Sequence, residues 1–145
     1  MLSRDERFQV GTVPSVGLLL LRAATGLTMA IAHGYPKLER LMGDGPVQFA
    51  DPFGIGMMPS LVMAIFGELV CGVLLAIGLG TRIAAVPFAI TMIVAITIAH
   101  AGDPWSDKEH AFLFLVPAIT LALTGPGRYS FDAWIADRRA VGRAR

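Results

Sequence analysis

The sequence is poor in charged residues and has a single cysteine. Charged residues make up 16% of its 145 residues, whereas an average soluble domain carries about 25%. Because Cys71 is the only cysteine, an intrachain disulfide and a multi-thiolate metal site are excluded. No basic run with interleaved aromatic residues occurs, so we expect no nucleic-acid partner. Together with a mean hydropathy of +0.63, these deficits predict an integral membrane protein.

Four apolar stretches predict an all-α, integral membrane four-helix bundle that forms one domain, because a helix needs about 20 apolar residues to cross a bilayer. The predicted spans are about 14–33, 59–79, 82–100 and 109–124. A Gly-Pro-Gly stop follows, and residues 126–145 form a predicted cytoplasmic tail. In this tail, Ser130 can cap a short interfacial helix whose apolar side chains and arginines suit an anionic membrane surface. A frayed, solvated tail is the alternative.

The distribution of Lys and Arg predicts the orientation of the bundle. With the N-terminus inside, the inner segments hold eight basic residues and the outer segments three, and basic residues concentrate on the cytoplasmic side. The inner set is Arg4, Arg7, Arg82, Arg128, Arg138, Arg139, Arg143 and Arg145, and the outer set is Lys37, Arg40 and Lys108. We therefore expect a multi-pass protein of the cell inner (plasma) membrane, N-in and C-in, with both termini cytoplasmic.

Arg22 and Glu68 are ionisable residues far from the ends of their predicted spans, where such side chains are costly and usually paired or functional. Arg22 lies eight residues after Pro14, and Glu68 lies nine residues after Pro59. At 1.5 Å per residue, these offsets put the two at nearly the same depth, roughly 5 Å apart. A buried Arg22–Glu68 pair is therefore predicted. It either fixes the packing of the helices or controls a proton-handling or ligand-binding carboxylate.

The three histidines all fall at the predicted outer mouth of the bundle. His33 and His100 end the first and third spans, His110 begins the fourth, and the mouth also holds Lys37 and Glu109. One reading is that they are polar residues at the membrane interface. A second is a site for a quinone headgroup, with His and Lys as hydrogen-bond donors. A haem or metal site is the third, but no HxxxH or ExxH pair supports it, so no metal is predicted.

Several of these residues belong to motifs that occur in the same order in a known family. The motifs are Arg22-x-x-x-Gly26, His33-Gly34-x-x-Lys37-Leu38, Glu68-x-x-x-Gly72, Gly78-x-Gly80-Thr81-Arg82 and Gly125-Pro126-Gly127-Arg128-Tyr129-Ser130-x-Asp132. Over residues 14–134 the chain resembles the DoxX family. This resemblance implies a four-helix inner-membrane protein linked to respiratory or sulfur redox chemistry, with quinone as the implied cofactor and a membrane or peripheral redox enzyme as the implied partner.

Three functions follow from these observations. The first is a redox-associated accessory subunit of a membrane oxidoreductase system, which contacts the lipid bilayer, quinone and a partner enzyme. A second is a non-catalytic membrane scaffold, in which the buried Arg–Glu pair only specifies the bundle. The third is a small proton-coupled transporter, although Arg22 would disfavour a cationic substrate nearby. The sequence contains no self-sufficient catalytic motif, and it leaves a homo-oligomer open.

Overall fold

The computed structural model describes residues 11–143 as helices joined by turns and loops, with no strand in that range. Helices α1 (Thr12–Met42), α2 (Met57–Ile77) and α3 (Thr81–Ala99) are long and apolar enough to cross a membrane. Helix α4 covers Trp105–Thr124, and α5 covers Phe131–Arg143. The all-helical prediction is therefore confirmed. Arg4, Arg7 and Arg145, which enter the orientation count, lie outside the described residues.

Helix α1 continues well past the predicted end of its span. It runs for 31 residues, and residues 35–42 form its last turns. A π-helical segment, Met29–Gly34, directly precedes Pro36 in the helix. The wider π turn accommodates a proline ring and its missing N–H, so the helix does not end there.

Helices α1 and α2 pack closely through small residues. A Cβ atom at Gly26 would overlap the carbonyl oxygen of Gly72 and lie 2.7 Å from the backbone nitrogen of Ala76. A Cβ at Gly34 would lie 2.7 Å from the Cα of Leu69. Small residues of this kind let membrane helices approach backbone to backbone. The core beside this contact draws on all of α1–α4: Met29, Cys71, Leu75, Ala84, Ala85, Phe88, Met92, Ala118 and Leu121.

A tight turn joins α2 to α3 and carries the C-terminal segment. Gly78 and Gly80 have φ values of 73° and 58°, which are costly for residues with a Cβ. The N–H of Leu79 bonds to the carbonyl of Leu74 at 3.0 Å, closing α2 with a Schellman motif.

The hydroxyl of Ser130 accepts a hydrogen bond from the N–H of Ala133 at 3.1 Å. The predicted N-cap of α5 is therefore confirmed.

Asp51 organises the connection between α1 and α2. Its carboxylate accepts hydrogen bonds from the backbone N–H of Ile55 (3.0 Å) and Gly56 (2.8 Å) and from the hydroxyl of Ser60 (2.8 Å). The bond from Gly56, followed by that from Ser60, lowers the pKa of Asp51 below its ordinary value. The ionised carboxylate thereby fixes the approach of the chain to the first turn of α2.

Candidate functional site

A cluster of three ionisable side chains, His33, Lys37 and Glu68, joins α1 to α2, and we call it the polar cluster. The Lys37 ammonium donates to Glu68 Oε2 at 2.5 Å. It also lies 3.4 Å from the carbonyl oxygen of His33, and the His33 ring is close enough to interact with the charges of both partners. The Glu68 side chain is only 9% exposed and lies near the middle of α2, about 16 Å along the axis from Met57.

Local backbone geometry helps to position this cluster. His33 belongs to the π-helical segment Met29–Gly34, and Glu68 belongs to a second one, Phe66–Val70. The two segments pack against each other. A π turn rotates the side chains that follow it relative to an ordinary helix, and such turns are frequent at functional sites. Two facing π segments that each carry an ionisable residue therefore mark this level of the bundle.

A groove between α1 and α4 adjoins the polar cluster, and we call it the lateral groove. It has a volume of about 340 Å³ and is lined by Ala24, Thr25, Thr28, His110, Leu113 and Phe114. The His33 and Phe114 rings meet edge to face, with their centroids 5.7 Å apart. His33 thus belongs to the polar cluster and contacts the wall of the groove.

Arg22 lies at the other end of α2, away from the polar cluster. Arg22 is 1% exposed, and its Nη2 donates to the carbonyl oxygen of Tyr129. Nη1 packs so closely against Gly78 that a side chain there would overlap it. Because Glu68 pairs with Lys37 instead, the predicted Arg22–Glu68 pair is wrong.

The register of α1 and α2 explains this error. Gly26 packs against Gly72 and Ala76, and Gly34 packs against Leu69. Glu68 is therefore level with about residue 34 of α1, roughly 18 Å along the axis from Arg22. The prediction assumed that Pro14 and Pro59 lie at opposite membrane surfaces. In the structure, Leu18 lies against Gly127 of the C-terminal segment, and α1 extends beyond His33. Offsets counted from Pro14 and Pro59 therefore do not give the depths that the prediction assumed.

The C-terminal segment is hydrogen-bonded to the turn between α2 and α3, a contact that the sequence motifs did not predict. Asp132 accepts hydrogen bonds from the N–H of Gly80 at 2.7 Å and from the N–H and hydroxyl of Thr81 at 2.9 and 3.0 Å. Its own N–H donates to Gly78 at 2.9 Å, and its charge reaches Arg22. We call this set the C-terminal clasp. The sequence signal for this set is the presence of Asp132 in the last motif.

Two other predicted site residues lie apart from the polar cluster. His100 Nδ1 is 2.7 Å from the carboxylate of Asp103 in the partly exposed connection between α3 and α4. Glu109 is exposed in the second turn of α4, next to His110. Within residues 11–143, no three His, Cys, Asp or Glu side chains are close enough together to hold a metal ion.

Comparison with known proteins places the chain in a family. The family model described as DoxX matches residues 17–101. "Putative oxidoreductase CatD" of Bacillus subtilis (strain 168) is 36% identical over 121 residues, which cover 83% of this chain and 87% of that protein. "Inner membrane protein YphA" of Escherichia coli (strain K12) is 33% identical over 140 residues, covering 86% and 94%. No solved structure matches significantly. The chain belongs to the DoxX family of membrane proteins.

Proposed function

We propose that this protein is a membrane subunit of a redox system and that its polar cluster binds the head of a quinone. The observation that carries the proposal is the Lys37–Glu68 pair near the middle of α2, beside His33 and the lateral groove. Ionisable groups held at such depth are usually functional. The name of the Bacillus relative supports a redox role.

The donor set of the cluster fits a quinone. Quinone oxygens accept hydrogen bonds, and the Lys37 ammonium and the His33 ring can both donate them. Glu68 balances the charge of Lys37, so the site is neutral overall and suits an uncharged ligand. A quinone would carry two electrons and two protons to or from the site, with the electrons exchanged by a partner oxidoreductase. Lys37 and Glu68 would hold the protons next to its oxygens.

Quinone binding by the purified protein in nanodiscs tests the proposal. We expect Lys37→Gln and Glu68→Gln to weaken binding about tenfold or more, since one charge-assisted hydrogen bond is worth roughly 1.5–3 kcal/mol. Arg40→Gln and Glu39→Gln are matched controls, because both residues are exposed on the same stretch of α1, and they should bind like the wild type. Wild-type binding no stronger than that of protein-free nanodiscs would overturn the proposal.

The histidines allow a second matched comparison. His33→Gln should weaken quinone binding, because it removes a donor beside the Lys37–Glu68 pair. His100→Gln should not, because the His100 ring pairs with Asp103 in the connection between α3 and α4. Equal loss in the two variants would point to a general effect on the fold and not to a site at His33.

One observation favours a second candidate function, that of a non-catalytic scaffold. The Lys37–Glu68 pair links α1 to α2, so it could serve only to specify their packing. In that case, Glu68→Gln would reduce the amount of assembled protein, and any activity would fall only in proportion to that amount. A folded Glu68→Gln protein that no longer binds quinone would refute the scaffold.

We further propose that α4 is a fourth span and that both termini face the cytoplasm. Its 20 residues extend about 30 Å, the thickness of the hydrocarbon core, although Asp107, Lys108 and Glu109 occupy its first two turns. The positive-inside rule supports the orientation. With Cys71→Ala as the background, Ser106→Cys should be labelled from outside intact cells and Arg139→Cys only after permeabilisation. Labelling of both from the same side would contradict the four-span topology.

A further inference from the structure

We propose that the lateral groove is the binding site for the apolar chain of the lipid-soluble ligand, and that its two threonines contact a second polar atom of the ligand head. This inference rests on the proposed function, because it places the rest of the molecule whose head the polar cluster binds. It makes the ligand a head with hydrogen-bond acceptors at both ends, attached to an apolar chain. A water-soluble ligand has no apolar chain for such a groove to bind.

The threonine hydroxyls of the groove differ from those elsewhere in the bundle. The hydroxyls of Thr91, Thr97, Thr120 and Thr124 each donate to the carbonyl four residues earlier, at 2.8–2.9 Å. Within residues 11–143, the hydroxyls of Thr25 and Thr28 have no hydrogen-bond partner. Thr25 is nevertheless buried, at 6% exposure. Thr28 is exposed, and because both residues line the groove, their hydroxyls can donate hydrogen bonds to a ligand there.

The groove contacts the polar cluster through Phe114, and its lining residues Ala24 and Leu113 are exposed on the outside of the bundle. The edge-to-face contact between Phe114 and His33 joins the two sites. Thr28 lies five residues before His33, or about 8 Å along α1. Ala24 lies nine residues before His33, and both Ala24 and the 59% exposed Leu113 face away from the bundle interior. A ligand can therefore enter sideways from the bilayer without crossing the polar ends of the bundle.

The lining of the groove combines polar and apolar groups, as such a ligand requires. The polar groups are His110 and the two hydroxyls, and the apolar ones are Ala24, Leu113 and Phe114. A head with two acceptor oxygens would place one at Lys37 and the other near Thr28 and His110. Its chain would then follow the groove past Ala24. The volume of about 340 Å³ is at the lower end of the roughly 300–1,000 Å³ typical of ligand pockets, so part of the chain would remain among the lipids.

Two quinone probes with the same head distinguish the groove from the polar cluster. One probe carries a four-unit isoprenoid chain, and the other carries a methyl group instead. In phosphatidylcholine nanodiscs, Ala24→Leu should weaken binding of the long-chain probe about tenfold and leave the methyl probe unchanged. Ala99→Leu, an exposed alanine on α3, is the control and should bind both probes like the wild type. Equal affinity of Ala24→Leu and wild type for the long-chain probe would overturn the groove assignment alone.

A measurement on the wild type guards against a folding defect in Ala24→Leu. A photoreactive group at the end of the isoprenoid chain should label residues of α1 and α4 that line the groove, as mapped by mass spectrometry. Labelling confined to the outer face of α3 would refute the groove as the chain site. If neither probe binds the wild type, the proposed function itself fails, which is a different outcome from the loss of chain selectivity.

Discussion

The Lys37–Glu68 pair makes an asymmetric prediction about stability. Lys37→Met leaves the Glu68 carboxylate near the middle of α2, and Glu68→Gln leaves the Lys37 ammonium. The Lys37 side chain is 22% exposed and the Glu68 side chain only 9%. A long, partly exposed lysine can extend toward water, whereas the buried glutamate has no such escape. We therefore expect Lys37→Met to destabilise the protein more than Glu68→Gln.

The magnitudes follow from the geometry of the pair. Removing one partner of a buried ion pair costs about 3–5 kcal/mol, because a charge remains without compensation. Lys37→Met should fall in that range, and Glu68→Gln should cost about 1–3 kcal/mol, because Lys37 can reorient. The double variant leaves neither charge and should be more stable than Lys37→Met alone. Quinone binding should nevertheless stay lost in the double variant.

A double-mutant cycle in detergent, with the free energy of unfolding and quinone affinity measured for each protein, tests this reasoning. The informative result is a double variant that regains stability but not quinone affinity. If the pair had only a structural role, the double variant would regain both. Strictly additive stability losses would mean that the two side chains do not interact, contrary to their 2.5 Å contact. A larger loss for Glu68→Gln than for Lys37→Met would refute the argument from exposure.

Three further predictions concern the rest of the bundle. Gly26→Ala should cost about 1–3 kcal/mol of unfolding free energy, because the new Cβ meets the backbone of α2. Gly17→Ala is the control and should cost nothing, because its Cβ meets nothing within 4 Å. Equal losses of stability in the two variants would contradict the close packing of α1 on α2. Asp132→Ala should cost about 2–5 kcal/mol in the same assay, because Thr81 is fully buried and loses its acceptor; a neutral variant would show that the clasp does not hold. Asp51→Asn should lower the melting temperature at pH 7. The folded-state pKa of Asp51 is depressed, so the difference in melting temperature between wild type and variant should be complete above the ordinary carboxyl pKa. It should disappear as the pH falls through the lower folded-state pKa. A difference that does not depend on pH would contradict the role of the charge.

Local features were predictable because their causes lie within a few residues. A long apolar run must satisfy its backbone hydrogen bonds internally, so the helices follow from hydropathy alone. The turn at Gly78 and Gly80 and the cap at Ser130 depend on single residues whose conformational or hydrogen-bonding properties are known. Residues 33, 37 and 68 could be selected as candidate site residues because ionisable groups are rare in apolar helices.

The pairing of these residues was not predictable, because it depends on how far one helix is shifted along its neighbour. Glu68 is level with about residue 34 of α1, twelve residues from Arg22, so its side chain contacts Lys37 and not Arg22. The shift is set by the close approach of Gly26 to Gly72 and by the uninterrupted passage of α1 through Pro36. Neither the π turns nor the contact between Arg22 and Tyr129 leaves a periodic signal in the sequence.

The C-terminal clasp also has a consequence for the order of biosynthesis. Arg22 is made early, yet its acceptor, the carbonyl of Tyr129, lies 107 residues later. At about 5–20 residues per second, the arginine waits roughly 5–20 s in the ribosome-bound chain before its partner emerges. Until then, the Arg22 guanidinium has neither the carbonyl of Tyr129 nor the nearby carboxylate of Asp132. A chain truncated before Tyr129 would lack the acceptor of a side chain that is 1% exposed in the folded protein, so we expect the first helix to pack stably only once the C-terminal segment is made.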